Sequence, residues 1–185
     1  PERSVAIHHL AVSGQILASG GKVCNCLIHP SVRQAVHGRY EKAMQGELSW
    51  CLDHIDDEFR TELHNAYDEH HPEKSLKVDF EAVFTAVKEL LESHAVKVLV
   101  MNGKHNVDSS EYSSGSNIVI GGNTLGRGVT FPALHTIYYT RTSKKPQADT
   151  MWQHSRMFGY DRDPGMMKVY IDEPLYKLFS DINAT

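Results

Sequence analysis

Several features that would assign a chain to a definite class are scarce or missing here. Only three of the 185 residues are cysteines, Cys24, Cys26 and Cys51, and a small odd number argues against a disulfide framework. No apolar run approaches the roughly 18 residues of a membrane span. The formal net charge is −4, so the whole chain has no attraction for phosphate backbones. We therefore expect a soluble, cytoplasmic protein with no membrane association.

The sequence also lacks the motifs with which a chain holds a nucleotide by itself. The P-loop pattern, G-x-x-x-x-G-K followed by Ser or Thr, does not occur: the one Gly-Gly-Lys ends at Lys22, is followed by Val23 and has Ile16 at the first glycine position. No D-E-x-D or D-E-x-H motif follows an apolar strand. Any ATP and magnesium must therefore be bound mainly by another domain.

The length suits one domain with a full hydrophobic core. Residues 1–21 are predicted to be an N-terminal lead-in, helical or extended, that ends in a glycine turn. Residues 22–180 are predicted to form the domain itself, with a helical insertion at about 46–75. Because the chain starts at Pro1 rather than at Met, we expect a fragment of a longer polypeptide.

Short apolar segments alternate with amphipathic helical segments along the chain. The periodicity predicts strands at 22–28, 96–101, 117–120, 135–140 and 167–171. Helical patterns cover 32–45, 47–71, 79–91 and 149–157. Strands separated by helices imply a parallel sheet with helices on both faces, so the fold class is three-layer α/β.

Two clusters of chemistry-bearing residues lie next to these strands. The segment 121–132 carries four glycines, which allow close backbone approach, and places Arg127 at the turn. Further along, Gln153 and Arg156 share a helix face, and Arg162 follows beyond a glycine. Guanidinium groups bind phosphate bidentately and stabilise charge during phosphoryl transfer. The alternative for each cluster is a set of structural salt bridges.

In this order the two clusters resemble motifs V and VI of superfamily 2 helicases, A-R-G-(I/V)-D-x-P and Q-x-x-G-R-x-x-R. More narrowly, I-G-G-N-x-L-x-R-G-x-T-x-P, Y-x-x-R and D-T-x-x-Q-x-x-R-x-F-G-Y are similar to the Z1 domain family. That family is described as candidate endonucleases found with helicase-type ATPases in restriction-modification and defence proteins. The resemblance spans roughly Lys22 to Ile171. It implies a RecA-like fold of the P-loop NTPase type.

The resemblance implies the second RecA-like half of an ATP-dependent helicase or translocase acting on DNA. Arg156 and Arg162 would then contact the γ-phosphate of ATP bound with Mg²⁺ to the N-terminal RecA-like ATPase domain, and Gln153 would position water or an arginine. Which arginine is the finger stays open, since Arg162 follows Arg156 by six residues instead of the usual three.

Two further groups of residues are implied at the nucleic-acid side. Coupling between nucleotide and nucleic acid is assigned to Gly126, Arg127, Gly128 and Thr130, although the helicase pattern has Asp at the last position. Sequence-independent contacts with the DNA backbone are assigned to the strand-end turns at His29, Ser31, Asn102, Gly103, Lys104, Gly122, Asn123 and Thr124.

Partners implied by the resemblance are DNA, the ATPase domain of the same polypeptide, and nuclease or methyltransferase subunits; the isolated chain is expected to be inactive. A nuclease in its own right, which needs converging carboxylates, and a docking module that catalyses nothing are the other classes. No metal site is predicted. Cys24 and Cys26 suit the core of a strand, and five histidines are predicted to lie at the surface: His8, His9, His64, His70 and His71.

Overall fold

The computed structural model describes residues 1–30, 34–101, 107–121, 130–140 and 161–171. Within these ranges the α-helices are α1 (Glu2–Ala18), α2 (Gln34–Asp53), α3 (Glu58–Asp68) and α4 (Phe80–Glu92). The strands are β1 (Val23–His29), β2 (Val96–Met101), β3 (Gly115–Gly121), β4 (Leu134–Tyr139) and β5 (Lys168–Ile171). Short 3-10 helices lie at Ser109–Glu111 and Pro164–Met166.

The five strands form one sheet in the order β2-β3-β1-β4-β5, and every neighbouring pair is parallel. The predicted α/β class, a parallel sheet flanked by helices, is confirmed. Each strand lies within a few residues of its predicted position, because a strand covered on both faces is a continuous apolar run that ends at glycine or polar residues. The central strand β1 is almost entirely buried.

Helix α1 lies in the middle of the molecule. Val5 and Ala6 belong to the apolar cluster on the sheet, whereas Leu10 belongs to the cluster formed with α3 and α4. A helix buried on all sides has no single apolar stripe, which explains why the periodicity of this segment predicts either a helix or an extended lead-in. A methyl group added at Gly14 would lie 2.7 Å from side-chain carbons of both Val83 and Val87, so α1 and α4 cross closely there.

The helical stretch predicted at 47–71 is divided in the structure. Helix α2 ends at Asp53, and α3 begins at Glu58, whose backbone N–H donates to the Asp57 side chain. Helices α3 and α4 form an outer layer whose buried side chains pack on α1. The segment predicted as an insertion thus contains the end of α2 and all of α3.

The second face of the sheet carries its own buried cluster. Leu27, Val119 and Ile137 are at most 1% exposed there. They pack with the rings of Tyr112 and Phe131, whose centroids are 4.9 Å apart. Both faces of the sheet are therefore covered, and the candidate sites are confined to its two edges.

Candidate functional site

The carboxyl ends of the five strands lie along one edge of the sheet because all the strands run in the same direction. The strands end at His29, Met101, Gly121, Tyr139 and Ile171. The predicted DNA-contacting turns begin at or directly after three of these ends: His29 is the last residue of β1, Asn102 follows β2 and Gly122 follows β3. The topology therefore starts these three turns on neighbouring strands at the same edge.

The switch point of the sheet lies between β1 and β4. The chain leaves β1 towards β2 on one side of the sheet and leaves β4 towards β5 on the other. In open parallel sheets, ligands bind in the crevice outside the carboxyl ends of such a pair. At the carboxyl ends of this pair lie His29 and Thr140, whose backbone N–H donates to the His29 carbonyl oxygen at 3.1 Å.

His29 does not extend into open solvent. Its side chain is 1% exposed, and its ring centroid lies 5.9 Å from that of Tyr139, its partner in the β1–β4 register. Burial raises the pKa of the Tyr139 phenol to about 12, so the phenol stays neutral. The His29 side chain is thus buried at the end of β1, against Tyr139.

Thr130 and Arg162 lie at the opposite, amino edge of the sheet. Thr130 is exposed and precedes Phe131, just before β4 begins. Arg162 lies between Asp161, which accepts the Ala133 N–H at 2.8 Å, and Asp163. The structure does not bring either residue together with His29.

The remaining predicted site residues lie outside the described ranges. They are Ser31, Asn102, Gly103, Lys104, Gly122, Asn123, Thr124, Gly126, Arg127, Gly128, Gln153 and Arg156. Thr140 was not among the predicted residues. The available signal was its position as the last residue of the strand predicted at 135–140.

A network of buried polar side chains joins α1 to the amino half of the sheet. His8 Nδ1 lies 2.7 Å from Thr136 Oγ1, and the Ser116 hydroxyl lies 2.8 Å from both His9 Nε2 and Ser13 Oγ. The prediction of surface positions is wrong for His8, His9 and His70, which are all 3% exposed or less. Their partners come from distant parts of the chain, so no local pattern identifies them. His64 and His71 are exposed, as predicted.

Burial keeps these histidines neutral. It lowers the pKa of His8 to about 2, with a further contribution from His70, and the pKa of His9 to about 3. The pKa of His70 falls to about 4, again chiefly through burial. A neutral imidazole has one donor and one acceptor nitrogen; its interactions here hold α1 against the sheet.

Asp163 fixes the turn before β5. Burial raises the pKa of its carboxyl, but hydrogen bonds from the backbone N–H groups of Glu73, Lys74 and Gly165 outweigh this effect and lower it overall. The Asp163 N–H donates to His135 Nε2 at 2.8 Å. This cluster ties the α3–α4 connection to the amino edge and has a structural role.

Two further findings concern only the described residues. No three or more His, Cys, Asp or Glu side chains are grouped there in a way that could hold a metal ion, and the three cysteines are buried free thiols. Among the helices in these ranges, none combines the length and apolar character that crossing a bilayer requires.

The fold is that of a parallel α/β domain whose switch point lies between β1 and β4. A model of the Z1 domain matches residues 3–185, and the chain belongs to the Z1 domain family. The match includes α1. No curated protein and no solved structure is significantly similar to the chain.

Proposed function

We propose that this chain is the second RecA-like half of an ATP-dependent DNA translocase or helicase of a restriction-modification or defence system. The observation that carries the proposal is that the adjacent strands β2, β3 and β1 end at one edge of the sheet, and the three predicted backbone-contacting turns begin at or directly after these ends in the sequence. Contacts with the nucleic-acid backbone are independent of sequence, as a protein that moves along DNA requires.

The nucleotide itself would be held mainly by a partner domain. The sequence has no P-loop, so ATP and Mg²⁺ are assigned to an N-terminal RecA-like half that faces the carboxyl edge of this one. The fit of a phosphate group to this edge is supported by a buried hydroxyl, Thr140 Oγ1, which has no hydrogen-bond partner in the described part of the chain. ATP would supply the phosphoryl group whose transfer drives movement.

The catalytic residue that this half would contribute to ATP hydrolysis is an arginine. We assign the finger to Arg156, because Arg162 directly follows Asp161, whose carboxylate accepts the Ala133 N–H at the amino edge of the sheet. Gln153, on the same predicted helix face, would position the attacking water or Arg156. Gly126, Arg127 and Gly128 would couple nucleotide and DNA; the same role for Thr130, which precedes β4, stays a prediction. Nuclease or methyltransferase subunits are the proposed partners.

The test is ATP hydrolysis by the polypeptide that joins this chain to its ATP-binding half, with and without DNA. Arg156→Ala should lower the rate about 10³-fold or more, as expected for loss of an arginine finger. Arg60→Ala is the matched control, since Arg60 lies on α3 in the outer layer and pairs with Glu81; it should hydrolyse ATP as the wild type does.

Other outcomes would identify a different class. Unchanged hydrolysis in Arg156→Ala would support a docking module that catalyses nothing. Cleavage of DNA by this chain alone, with Mg²⁺ and without ATP, would identify a nuclease and overturn the motor proposal. The same assay with EDTA separates metal-dependent cleavage from contamination by a metal-independent enzyme.

A further inference from the structure

Thr140 holds a buried hydroxyl group at the switch point. The residue is 8% exposed, and its Oγ1 has no hydrogen-bond partner among the described residues. Its backbone is fixed, because its N–H continues the β1–β4 ladder to the His29 carbonyl oxygen at 3.1 Å. An unpartnered buried hydroxyl is unfavourable in a folded protein and calls for an explanation such as a ligand.

The side chain of Thr140 lies on the face of the sheet that α1 and α2 cover. Side chains alternate along a strand, so Thr140 shares a face with Tyr138, which packs in the cluster with Val5 and Met44. The Tyr138 ring centroid is 6.2 Å from that of Tyr40 on α2. Thr140 therefore lies two residues nearer the carboxyl edge than Tyr138, which contacts α2.

Helix α2 points its amino end to this edge. Tyr40, near its start, meets the end of β4, whereas Leu48, further along, packs near Val96 at the start of β2. The partial positive charge and free N–H groups of a helix amino end attract anions. The first turn of α2 contains no acidic residue that would neutralise this charge.

We infer that Thr140 is a phosphate-binding residue, whose Oγ1–H donates to a phosphate oxygen held at the amino end of α2. The inference rests on the proposed function and adds to it a contact on β4. A hydroxyl with a fixed backbone and no competing partner donates to phosphate without first breaking an internal bond. The phosphate could belong to the DNA backbone or to the nucleotide of the partner half, and separate binding assays with DNA and with ATP distinguish these two sources.

The experiment compares the wild type, Thr140→Val and Thr140→Ser in the 185-residue chain. Valine keeps the shape and removes the hydroxyl, whereas serine keeps the hydroxyl. Binding of single-stranded DNA and of ATP is measured by fluorescence anisotropy and calorimetry, and binding of pyrophosphate by calorimetry. Thr140→Val should weaken binding of the ligand that carries the phosphate about tenfold or more, the loss expected for a hydrogen bond to a charged group. Thr140→Ser should bind within about threefold of the wild type.

Thermal unfolding supplies an independent readout. If Oγ1 is unpartnered in the free protein, Thr140→Val should raise the Tm by a few degrees. A lower Tm for Thr140→Val would show that the hydroxyl has an internal partner and would overturn the inference.

The outcomes also separate this inference from the proposed function. Equal binding of DNA, ATP and pyrophosphate by the wild type and Thr140→Val would overturn the Thr140 contact and leave the motor proposal intact. Binding of pyrophosphate alone, lost in Thr140→Val, would support the phosphate site while opposing DNA as its source. A wild-type chain that binds none of the three ligands overturns the site.

Discussion

The imidazole of His8 and the hydroxyl of Thr136 meet at 2.7 Å in the interior of the molecule, although 128 residues separate them along the chain. The His8 ring also meets the His70 ring edge-on, with centroids 4.9 Å apart. Helix α1 thus carries neutral histidines into the space between the sheet and the outer helices. Because these contacts require neutral histidines, the stability of the protein depends on pH.

The first prediction concerns pH. His8, His9 and His70 have pKa values of about 2, 3 and 4 in the folded chain and about 6.5 when unfolded. Below pH 6.5 the unfolded chain therefore binds more protons, and the free energy of unfolding falls as the pH falls. We expect a loss of roughly 3 kcal/mol between pH 6.5 and 5.5 from these three groups, measured by urea unfolding.

Two variants distinguish this cause from general acid sensitivity. His8→Gln removes one titrating group, so the slope of stability against pH should decrease by about 1 kcal/mol per pH unit. Thr85→Ser changes an exposed residue of α4 that does not titrate and should leave the slope as it is. A flat profile in the wild type from pH 7.5 to 5.5 would contradict buried neutral histidines.

The second prediction concerns the crossing of α1 and α4. Gly14→Ala places a methyl group 2.7 Å from side-chain carbons of Val83 and Val87 and 2.9 Å from the Val83 carbonyl oxygen. Relief of such contacts costs about 1–3 kcal/mol, so the Tm should fall by several degrees. Gly38→Ala, in α2 with nothing within 4 Å of the added atom, should instead stabilise by about 0.5–1 kcal/mol. Calorimetry that shows the same sign for both variants would refute the close crossing.

The third prediction concerns Asp163. In the wild type, backbone N–H groups donate to both oxygens of the Asp163 carboxylate. Asp163→Asn retains one acceptor oxygen but presents an amide nitrogen, which cannot accept, in place of the other. The expected loss is about 2 kcal/mol in the free energy of unfolding, measured in urea at pH 7.5. Asp68→Asn, at an exposed position on α3, should change it by less than about 0.5 kcal/mol. Equal stability of the two variants would show that the Asp163 contacts are unimportant.

Prediction from sequence succeeded where the signal is local. The β2 segment, VKVLVM, is apolar and follows a helix that ends at Glu92, and the structure has a strand over the same six residues. For α1 the local pattern left a helix and an extended segment as alternatives, because a helix surrounded by protein has no polar face to mark its period. Local patterns failed for His8 and His9, whose solvent exclusion depends on residues far away in sequence.

The candidate site divides in the same way. The positions of His29 and of the turns after β2 and β3 at strand ends follow from local composition. The separation of Thr130 and Arg162 from that edge does not, because each residue belongs to one of the two sequence clusters that are predicted to face phosphate. Only the direction of β4 and β5 places them at the amino edge.

The alternation of strands and helices, the absence of a P-loop and the resemblance to the Z1 domain family can all be recognised in the amino-acid sequence. These features depend on residues close together in sequence, so the periodicity and spacing of short segments predict them. The strand order, the burial of α1 with its histidines, and the lack of a hydrogen-bond partner for the Thr140 hydroxyl among the described residues are visible only in the tertiary structure. These features depend on residues that are far apart in sequence and exclude water from one another in the fold. A short segment of the chain does not show which residues those are.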